Sequence, residues 1–292
     1  TYLDPLPSYI VADTKRVHSS FNQTMTATGR LSTSSPNFQN IPIRTEDGKE
    51  IRKAIKAQSN EYQIFSADYS QVELRVMAHL SGDESLISAL NNGEDIHTFT
   101  AKNIFNVDND DMVLPEMRRI AKIVNFGIMY GAGPFRLSQE LDIPFGEAKQ
   151  IKDAYFEKYQ GIEQYIENSK LQIKETKSVE TLLGRKRAVW DSDSQNKIRR
   201  DAAERMAINM PIQGTAAEMI KLAMIKIHRQ MNKENLKSKL IMQIHDELLL
   251  EVHQDDIDYI SKMVIEHMRN AMKLDVPIEI DFGIGPSWYE AH

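Results

Sequence analysis

The 292-residue sequence contains no cysteine, which excludes disulfide bonds and thiolate metal sites. It also lacks an apolar run long enough to cross a bilayer, and it does not open with a signal-peptide pattern. Internal repeats and low-complexity tracts are absent as well. With 41% hydrophobic and 27% charged residues, the sequence predicts a large core, in one big domain or two smaller ones. This composition fits a soluble intracellular protein, although a chain without cysteine is also compatible with export.

An overall excess of basic residues is also missing, because the net charge is −6. Acidic residues strongly outnumber basic ones from Asp246 to the end, whereas the rest of the chain is close to neutral. Basic residues cluster in the segments RRIAK (118–122), GRKR (184–187) and KIRR (197–200). Each cluster alone is typical of a solvated helix face, but a polyanion binder also concentrates positive charge on one surface. The first residue is Thr1 rather than Met, so we expect a fragment of something longer.

Two apolar runs between residues 239 and 253 are separated by the polar residues His245, Asp246 and Glu247. Two strand-like runs this close together predict a β-hairpin with the polar residues at its bend. Taken alone, the acids are well explained by a soluble turn. A metal site at Asp246 requires a second carboxylate from elsewhere in the chain.

A strand is predicted for residues 62–68, YQIFSAD, and it ends at Asp68. A helix is then expected from about Ser70 to near Gly82, because Ser70 and Glu73 form a capping-box pattern. Asp68 is either a second N-capping acid or a functional side chain at the sheet edge. If its strand pairs with the hairpin, Asp68 and Asp246 can converge, and paired carboxylates are how proteins hold magnesium.

A helix is predicted to start at Leu114-Pro115-Glu116, with proline in its first turn. Along this helix, one slowly turning stripe of side chains four residues apart consists of Arg118, Lys122, Phe126 and Tyr130. Two cations followed by two aromatic rings fit a nucleoside triphosphate; the alternative is a basic surface helix with its aromatics turned inward. Gly127 costs a helix roughly 1 kcal/mol relative to alanine, which indicates close approach of another chain segment or a ligand.

The remaining segments have weaker signals. Residues 1–60 predict loops and short strands, and the polar segment 21–44 around Arg30 suits either a linker or a surface that contacts sugars, phosphates and groove edges. Amphipathic helices are expected within 136–180, with Pro144 at a helix start, and a strand–turn–strand unit within 179–190. The later elements are a helix over 195–210 that stops before Pro211, a new helix over about 214–232, a helix over 256–273 and a closing strand over 276–285.

Three segments resemble, in order and spacing, the polymerase motifs of family A DNA polymerases, most closely the bacterial DNA polymerase I type: DYSQVELRVMAHLSGD (68–83), RRIAKIVNFGIMYG (118–131) and QIHDELLLEV (243–252). The segments TATGRLSTSSPNFQNIPIR, DIHTF and AAERMAINMPIQGTAAEMIKLAM are also similar to that family. The resemblance covers essentially the whole chain. It implies an α+β fold, in which an antiparallel-sheet palm carries a largely helical fingers subdomain, as in the right-hand polymerase fold without its thumb.

The resemblance also implies domain limits and partners. Residues 1–72 and 211–292 would form the palm, and residues 73–210 the fingers. The thumb and exonuclease domains, which precede this region in the family, are expected to be absent. The implied activity is template-directed DNA synthesis on primer–template DNA from dNTPs. We expect a monomer with no membrane association, located in the cytoplasm with the nucleoid.

Catalytic roles are carried over by matching position. Asp68 and Asp246 would hold two magnesium ions, assisted by the backbone carbonyl of Tyr69, with manganese as a substitute ion. Glu247 would support this site without being an essential ligand. Lys122 would be placed to protonate the leaving pyrophosphate.

The same matching positions imply contacts to nucleotide and DNA. The nucleotide contacts would be Arg118, Lys122 and His97 at the triphosphate, with Phe126, Tyr130, Glu73 and Gln71. Arg30 and Gln213 would read minor-groove acceptors, which are nearly independent of base sequence. The template or primer contacts would be Arg205, Asn209 and His245.

Glu73 has two competing interpretations, a helix cap and, with Tyr130, a steric gate against a 2′-hydroxyl. The resemblance favours the gate. Phe126 matches the form of the family that is expected to discriminate against dideoxynucleotides.

Three other function classes remain to be separated from DNA synthesis. A single-subunit RNA polymerase is disfavoured by Glu73 within a complete DNA-polymerase motif. A two-metal nuclease needs clustered carboxylates, but it does not need the stripe of cations and aromatics. A non-catalytic DNA-binding remnant is disfavoured by intact Asp68, Asp246 and Arg118, although the missing thumb favours weak binding and poor extension.

Overall fold

The computed structural model describes residues 4–41 and 46–292. The last residues of the polar segment, 42–44, were matched to the family and lie outside the described residues. The chain forms two compact units. The first unit comprises Thr1–Val72, Ala216–Lys273 and Ile278–His292, and the second comprises Glu73–Thr215 and Leu274–Pro277. The names palm and fingers for these units stay a prediction.

Short strands come first in the chain, the middle is mainly helical, and three strands of the main sheet follow the longest helix. The strands are β1 (Ile10–Val11), β2 (Arg16–Val17), β3 (Ser20–Asn22), β4 (Ser32–Ser34), β5 (Tyr62–Tyr69), β6 (Ser178–Glu180), β7 (Lys186–Ala188), β8 (Lys239–Ile244), β9 (Glu247–His253) and β10 (Ile280–Gly285). The α-helices are α1 (Glu46–Ile51), α2 (Val72–Ser81), α3 (Glu84–Asn91), α4 (Ile96–Phe105), α5 (Pro115–Met129), α6 (Pro134–Leu141), α7 (Phe145–Lys158), α8 (Gln160–Thr176), α9 (Lys197–Lys233), α10 (Ile257–Arg269) and α11 (Trp288–Ala291). This α+β architecture confirms the fold class expected from the sequence.

The first unit is built on a four-stranded antiparallel sheet with the order β10-β5-β9-β8. Every residue of β9 is buried, as expected for a central strand covered on both faces. One core cluster on this sheet joins apolar side chains that are distant in sequence, among them Phe38, Ile64, Leu249 and Trp288. The predicted strand at 62–68 and the predicted hairpin at 239–253 are confirmed, and they pair directly with each other.

Glycines in β10 bring the C-terminal helix onto the sheet. A Cβ atom at Gly283 would lie 2.5 Å from the carbonyl oxygen of Ala291, and one at Gly285 would lie 2.6 Å from Cβ of Glu290. Any residue other than glycine at these positions would clash with α11. The two glycines therefore let α11 pack directly on β10, and Trp288 of this helix is almost fully buried, at 1% exposure.

The second unit is mainly helical. Its β6–β7 hairpin confirms the predicted strand–turn–strand unit, and a core cluster of Ile173, Val179, Val189 and Ala207 packs beside it. Helix α7 begins at the predicted Pro144 cap. The expected close approach at Gly127 is also present, since a Cβ atom there would lie 3.0 Å from Cδ2 of Leu137 on α6.

The predicted helix end before Pro211 is wrong. Helix α9 continues from Lys197 to Lys233 with Pro211 inside it. An internal proline removes one backbone hydrogen bond and costs about 3 kcal/mol. Pro211 and its neighbours Met210 and Ile212 are buried, and the burial of apolar side chains on both sides of the proline offsets this cost.

Candidate functional site

Four acidic residues of the first unit lie at one end of its sheet. On β5, Asp68 is directly opposite Glu247 of β9 on one side and Asp281 of β10 on the other. Side chains of directly opposed residues lie on the same face of an antiparallel sheet. Asp246 precedes Glu247 in the two-residue turn between β8 and β9, and its carbonyl oxygen accepts a hydrogen bond from the Tyr69 N–H at 3.2 Å. The structure therefore brings Asp68 and Asp246 to the same sheet end.

The electrostatics of Asp68 follow from this crowding. Burial, followed by the nearby charges of Glu247 and Asp246, raises the pKa of Asp68 to about 7. A carboxylate in this setting gains from a neighbouring cation, because the cation offsets both the burial and the repulsion. Among residues 4–41 and 46–292, no group of three or more acidic or histidine side chains has a metal-binding arrangement. Two carboxylates that leave several positions to water or phosphate oxygens fit magnesium, which keeps much of its hydration shell.

Within the ranges that the structure describes, the Glu247 carboxylate, unlike that of Asp68, accepts hydrogen bonds from side chains of the protein. Its Oε1 atom accepts hydrogen bonds from the Ser66 hydroxyl at 2.5 Å and from the Trp288 indole N–H at 2.8 Å. The His292 ring nitrogen Nδ1 lies 3.4 Å from the same oxygen. Burial raises the pKa of Glu247, but His292 and the hydrogen bond from Ser66 outweigh it and hold the pKa below its usual value. This arrangement suits a supporting carboxylate.

The residues that hold Glu247 were missed by the sequence reasoning. Ser66 reads as an ordinary strand residue, and Trp288 and His292 follow the last strand with no spacing signal. Arg52, also unforeseen, lies with its guanidinium carbon 4.1 Å from the centre of the Trp288 ring. The packing of α11 on β10 brings Trp288 to Glu247, whereas Ser66 reaches it through the pairing of β5 with β9.

The other expected contacts in the first unit include His245, which shares the β8–β9 turn with Asp246. His245 is exposed, has a left-handed backbone (φ 53°), and its Nε2 atom lies 3.0 Å from the Gln39 carbonyl oxygen. Gln71 also has a positive φ, 51°, and its buried Oε1 atom has no hydrogen-bond partner in the described part of the chain. Arg30 is partly buried in the turn where Lys221 donates a hydrogen bond to the Gly29 carbonyl oxygen.

The stripe on α5, which ends at the C-cap residue Tyr130, belongs to the second unit. Arg118 and Lys122 are exposed, and Phe126 and Tyr130 are half-buried. The rings of Phe126 and Tyr130 are stacked with centroids 6.3 Å apart. The Tyr130 hydroxyl donates a hydrogen bond to the Glu73 carboxylate. The pairing of Glu73 with Tyr130 is therefore present.

His97 lies beside the stripe as a buried, neutral side chain. Its ring centroid is 5.7 Å from that of Phe126. Burial is the main cause that lowers the pKa of His97 to about 4, and the charges of Arg118 and Lys122 lower it further. The Asn125 amide nitrogen lies 3.1 Å from His97 Nδ1, so Nδ1 is assigned as the acceptor and Nε2 carries the proton. His97 can therefore donate a hydrogen bond from Nε2 while it stays neutral.

Helix α9 carries three of the expected DNA contacts at a spacing of four, namely Arg205, Asn209 and Gln213. All three are partly exposed, although the helix is largely buried around them. Asn209 donates a hydrogen bond to the Tyr130 carbonyl oxygen at 3.5 Å. A Cβ atom on Gly131 would lie 3.0 Å from Cγ of Arg205. Within the second unit, this face of α9 therefore lies against the end of α5.

Comparison with known proteins identifies the family. The profile of DNA polymerase family A matches residues 1–290. The chain is 47% identical over 291 residues to DNA polymerase I of Bacillus subtilis and 49% identical to the thermostable DNA polymerase I of Thermus filiformis. Each match covers 100% of this chain but only 33% and 34% of the relative, so the chain spans about a third of their length.

A similar solved structure is the POL domain of Pol1 from M. smegmatis in complex with DNA primer-template and dNTP. It shares 45% identity and a TM-score of 0.94, and the match covers 99% of this chain and 50% of that one. Within the described residues, no helix of the present protein is long and apolar enough to span a membrane. Both the sequence and the structure place this chain in family A of the DNA polymerases.

Proposed function

We propose that the protein catalyses template-directed DNA synthesis, in which a primer 3′-hydroxyl attacks the α-phosphate of a dNTP and pyrophosphate leaves. The observation that carries this proposal is the meeting of Asp68 with Asp246 and Glu247 at one end of the sheet. Family membership over residues 1–290 supports it. The stripe of cations and aromatic rings on α5 separates this function from that of a nuclease, which needs carboxylates alone.

The cofactor we infer is a pair of magnesium ions, with manganese as an alternative. Asp68 and Asp246 would hold them with the carbonyl oxygen of Tyr69, and Glu247 would support Asp246 from its own hydrogen-bonded position. When bound, two such ions activate the attacking hydroxyl and stabilise the leaving pyrophosphate.

The second unit would bind the incoming nucleotide. Arg118 and Lys122 would bind the triphosphate as cations, and Lys122 Nζ would hold the proton that the pyrophosphate takes up. His97, neutral at physiological pH, would donate its Nε2–H to a phosphate oxygen. Phe126 would stack on the base, and the Tyr130–Glu73 pair would exclude a 2′-hydroxyl. Gln71 would also contact the nucleotide.

The DNA partner we infer is a primer–template duplex, as in the similar M. smegmatis complex. Arg30 and Gln213 would read the minor-groove acceptors that correct base pairs share. Arg205, Asn209 and His245 would contact template or primer. In this assignment the first unit acts as the palm and the second as the fingers of a monomer that works at the nucleoid in the cytoplasm.

Primer extension with magnesium tests the proposal. The wild-type chain should extend a primed template with dNTPs but much less with rNTPs, and Asp246→Ala should lower the rate at least about a hundredfold. Asp258→Ala, an exposed acid in the first turn of α10, is the matched control and should extend normally. Equal extension by Asp246→Ala and wild type would refute the carboxylate assignment, and preferred use of rNTPs would favour an RNA polymerase.

A further inference from the structure

Asp95 divides its two carboxylate oxygens between two tasks within the second unit. Its Oδ1 atom caps α4 by accepting the backbone N–H groups of His97 at 2.9 Å and Thr98 at 3.4 Å. Its Oδ2 atom accepts the Nε–H of Arg118, on α5, at 2.7 Å, and also the hydroxyl of Thr98 at 3.3 Å. One carboxylate thus fixes a cation of the stripe and the first turn of the helix that carries His97.

The position of Arg118 explains why such a partner matters. Arg118 lies on the exposed first part of α5, where its side chain is 47% exposed and packing alone does not hold it. An arginine that is free to rotate loses up to about 2 kcal/mol of side-chain entropy when it is fixed by a ligand. Asp95 uses only the Nε–H, which leaves the terminal nitrogens of the guanidinium available to phosphate oxygens.

The charge of Asp95 is compatible with this task. Burial raises its pKa, but the hydrogen bonds from Arg118 and from the His97 backbone outweigh burial and hold the pKa of Asp95 below its usual value. The carboxylate therefore stays ionised at neutral pH. Because the ion pair is partly exposed on both sides, solvent screens it, and Arg118 keeps most of its attraction for a triphosphate.

We propose that Asp95 is a positioning residue for nucleotide binding, which orients Arg118 directly and His97 through the helix cap to receive the triphosphate of a dNTP. This inference rests on the proposed function, because that function assigns the triphosphate to Arg118 and His97. Asp95 itself would not touch the nucleotide. It would organise the phosphate-binding groups before the nucleotide arrives, and its effect should therefore appear in KM.

The substitution Asp95→Asn tests the contact with Arg118 while it keeps the backbone cap of α4 through Oδ1. Asparagine keeps an oxygen that can cap α4, but it replaces Oδ2 with an amide nitrogen that cannot accept the Arg118 Nε–H. In single-nucleotide primer extension, D95N should raise KM for the dNTP about three- to tenfold and leave kcat within about twofold. The matched control is Glu116→Gln, which removes the Glu116–Arg119 ion pair from the same helix and should leave both constants unchanged.

A double substitution tests whether the effect passes through Arg118. In an Arg118→Ala background, D95N should change KM less than about twofold, because the partner is already gone. An unchanged KM in D95N alone, or a full effect in the Arg118→Ala background, would overturn the proposal. A lower KM would overturn it too, since Asp95 would then compete with the triphosphate for Arg118.

Equilibrium dNTP binding to the full chain, measured by calorimetry, separates this inference from the proposed function. If the wild-type protein binds dNTP but does not extend a primer, the result contradicts the proposed polymerase activity and leaves the role of Asp95 open to the binding test. In that case a three- to tenfold weaker Kd in D95N would still support Asp95 as a positioning residue, and an equal Kd would refute it. Wild-type protein that does not bind dNTP would overturn both.

Discussion

Glu73 is the buried carboxylate that the proposed function assigns to sugar selection. It is 6% exposed and accepts a hydrogen bond from the Tyr130 hydroxyl, so its position is fixed from two elements of the second unit. If this pair excludes the 2′-hydroxyl, Glu73→Ala opens space beside the sugar. We expect the ratio of kcat/KM for a ribonucleotide to that for the matching dNTP to rise about tenfold or more in primer extension.

A conservative variant controls for side-chain volume. Glu73→Gln keeps the shape of the side chain and an oxygen for the Tyr130 hydroxyl, so it should preserve most of the sugar selectivity. Unchanged selectivity in Glu73→Ala would leave only the helix-capping interpretation.

Asp68 should make the stability of the metal-free protein depend on pH. Its pKa in the folded state is about 7, raised by burial and by Glu247 and Asp246, whereas an unfolded aspartate titrates near 4. Between these values the folded chain keeps a proton that the unfolded chain has lost, so stability falls as pH rises through this window. Asp68→Asn removes this effect and should raise the free energy of unfolding at pH 8 by about 1–2 kcal/mol, and the gain should disappear below pH 4.

The measurement is urea unfolding in the presence of a chelator, from pH 4 to pH 8. The Asn variant should be inactive in extension while being more stable, as expected when a functional site carries unfavourable electrostatics. An Asn variant no more stable than wild type at pH 8 would show that Asp68 is not under the repulsion described.

The candidate site was only partly predictable from residues. Asp68 and Asp246 could be paired because each follows a strand signal, and strand ends meet at sheet edges. The side chains around Glu247 could not be found, because Ser66 and Glu247 bond across 181 residues and Trp288 reaches them only through the packing of α11. Asp95 was missed for a related reason: it reads as an ordinary helix cap, and its contact with Arg118 depends on how α4 and α5 pack.

At the level of elements, the start of α8 is held against the cap of α3 by Gly161. Its N–H donates to Asp83 Oδ2 at 2.9 Å, while Asp83 Oδ1 caps α3 by accepting the Leu86 N–H. A Cβ atom at Gly161 would lie 2.7 Å from the Asp83 Cα, which is backbone and has little room to move. Gly161→Ala should therefore destabilise the protein by about 2–4 kcal/mol in chemical denaturation.

Gly146 offers a matched control on the neighbouring helix α7. No heavy atom lies within 4 Å of a Cβ atom built there. Gly146→Ala should be neutral or stabilise the protein by up to about 1 kcal/mol, because alanine favours a helix over glycine. Equal effects of the two substitutions would mean that helix propensity, and not the contact with Asp83, sets the cost at Gly161.

Element boundaries show where local rules stop being sufficient. Strands and helices with clear periodicity, such as β5, α5 and the β8–β9 hairpin, were predicted because their apolar patterns match their burial. Pro211 was misread because the local rule for proline does not include the burial of Met210 and Ile212. The long helix α9 therefore depends on packing that no short window of sequence contains.

At the scale of the whole molecule, the first unit is assembled from three separate stretches of chain. The sequence gives no direct signal for such an arrangement, since β5 and its partner strands β9 and β10 are far apart along the chain. Strand signals allowed the pairing of residues 62–68 with the hairpin, and the resemblance to a family extended the same unit to both ends of the chain. The periodicity of apolar residues predicts local elements, whereas the pairing of strands far apart in sequence depends on the packing of the whole core.

The net charge of −6 bears on DNA binding, because the total charge repels a polyanion and binding must depend on local cations. We expect the affinity for primer–template DNA to fall steeply as salt rises from roughly 50 to 200 mM, with a linear plot of log K against log salt. Arg205→Ala should reduce the slope of this plot by about one if Arg205 contacts a phosphate. Fluorescence anisotropy of labelled primer–template measures both values.

Arg136 provides the control, because this exposed arginine pairs with Glu140 on α6 and has no assigned contact with DNA. Arg136→Ala changes the net charge by the same amount as Arg205→Ala. If the slope depends on specific phosphate contacts, only Arg205→Ala should change it. Equal changes in both variants would mean that the overall charge of the protein governs DNA binding, and Arg205 would lose its assignment as a contact.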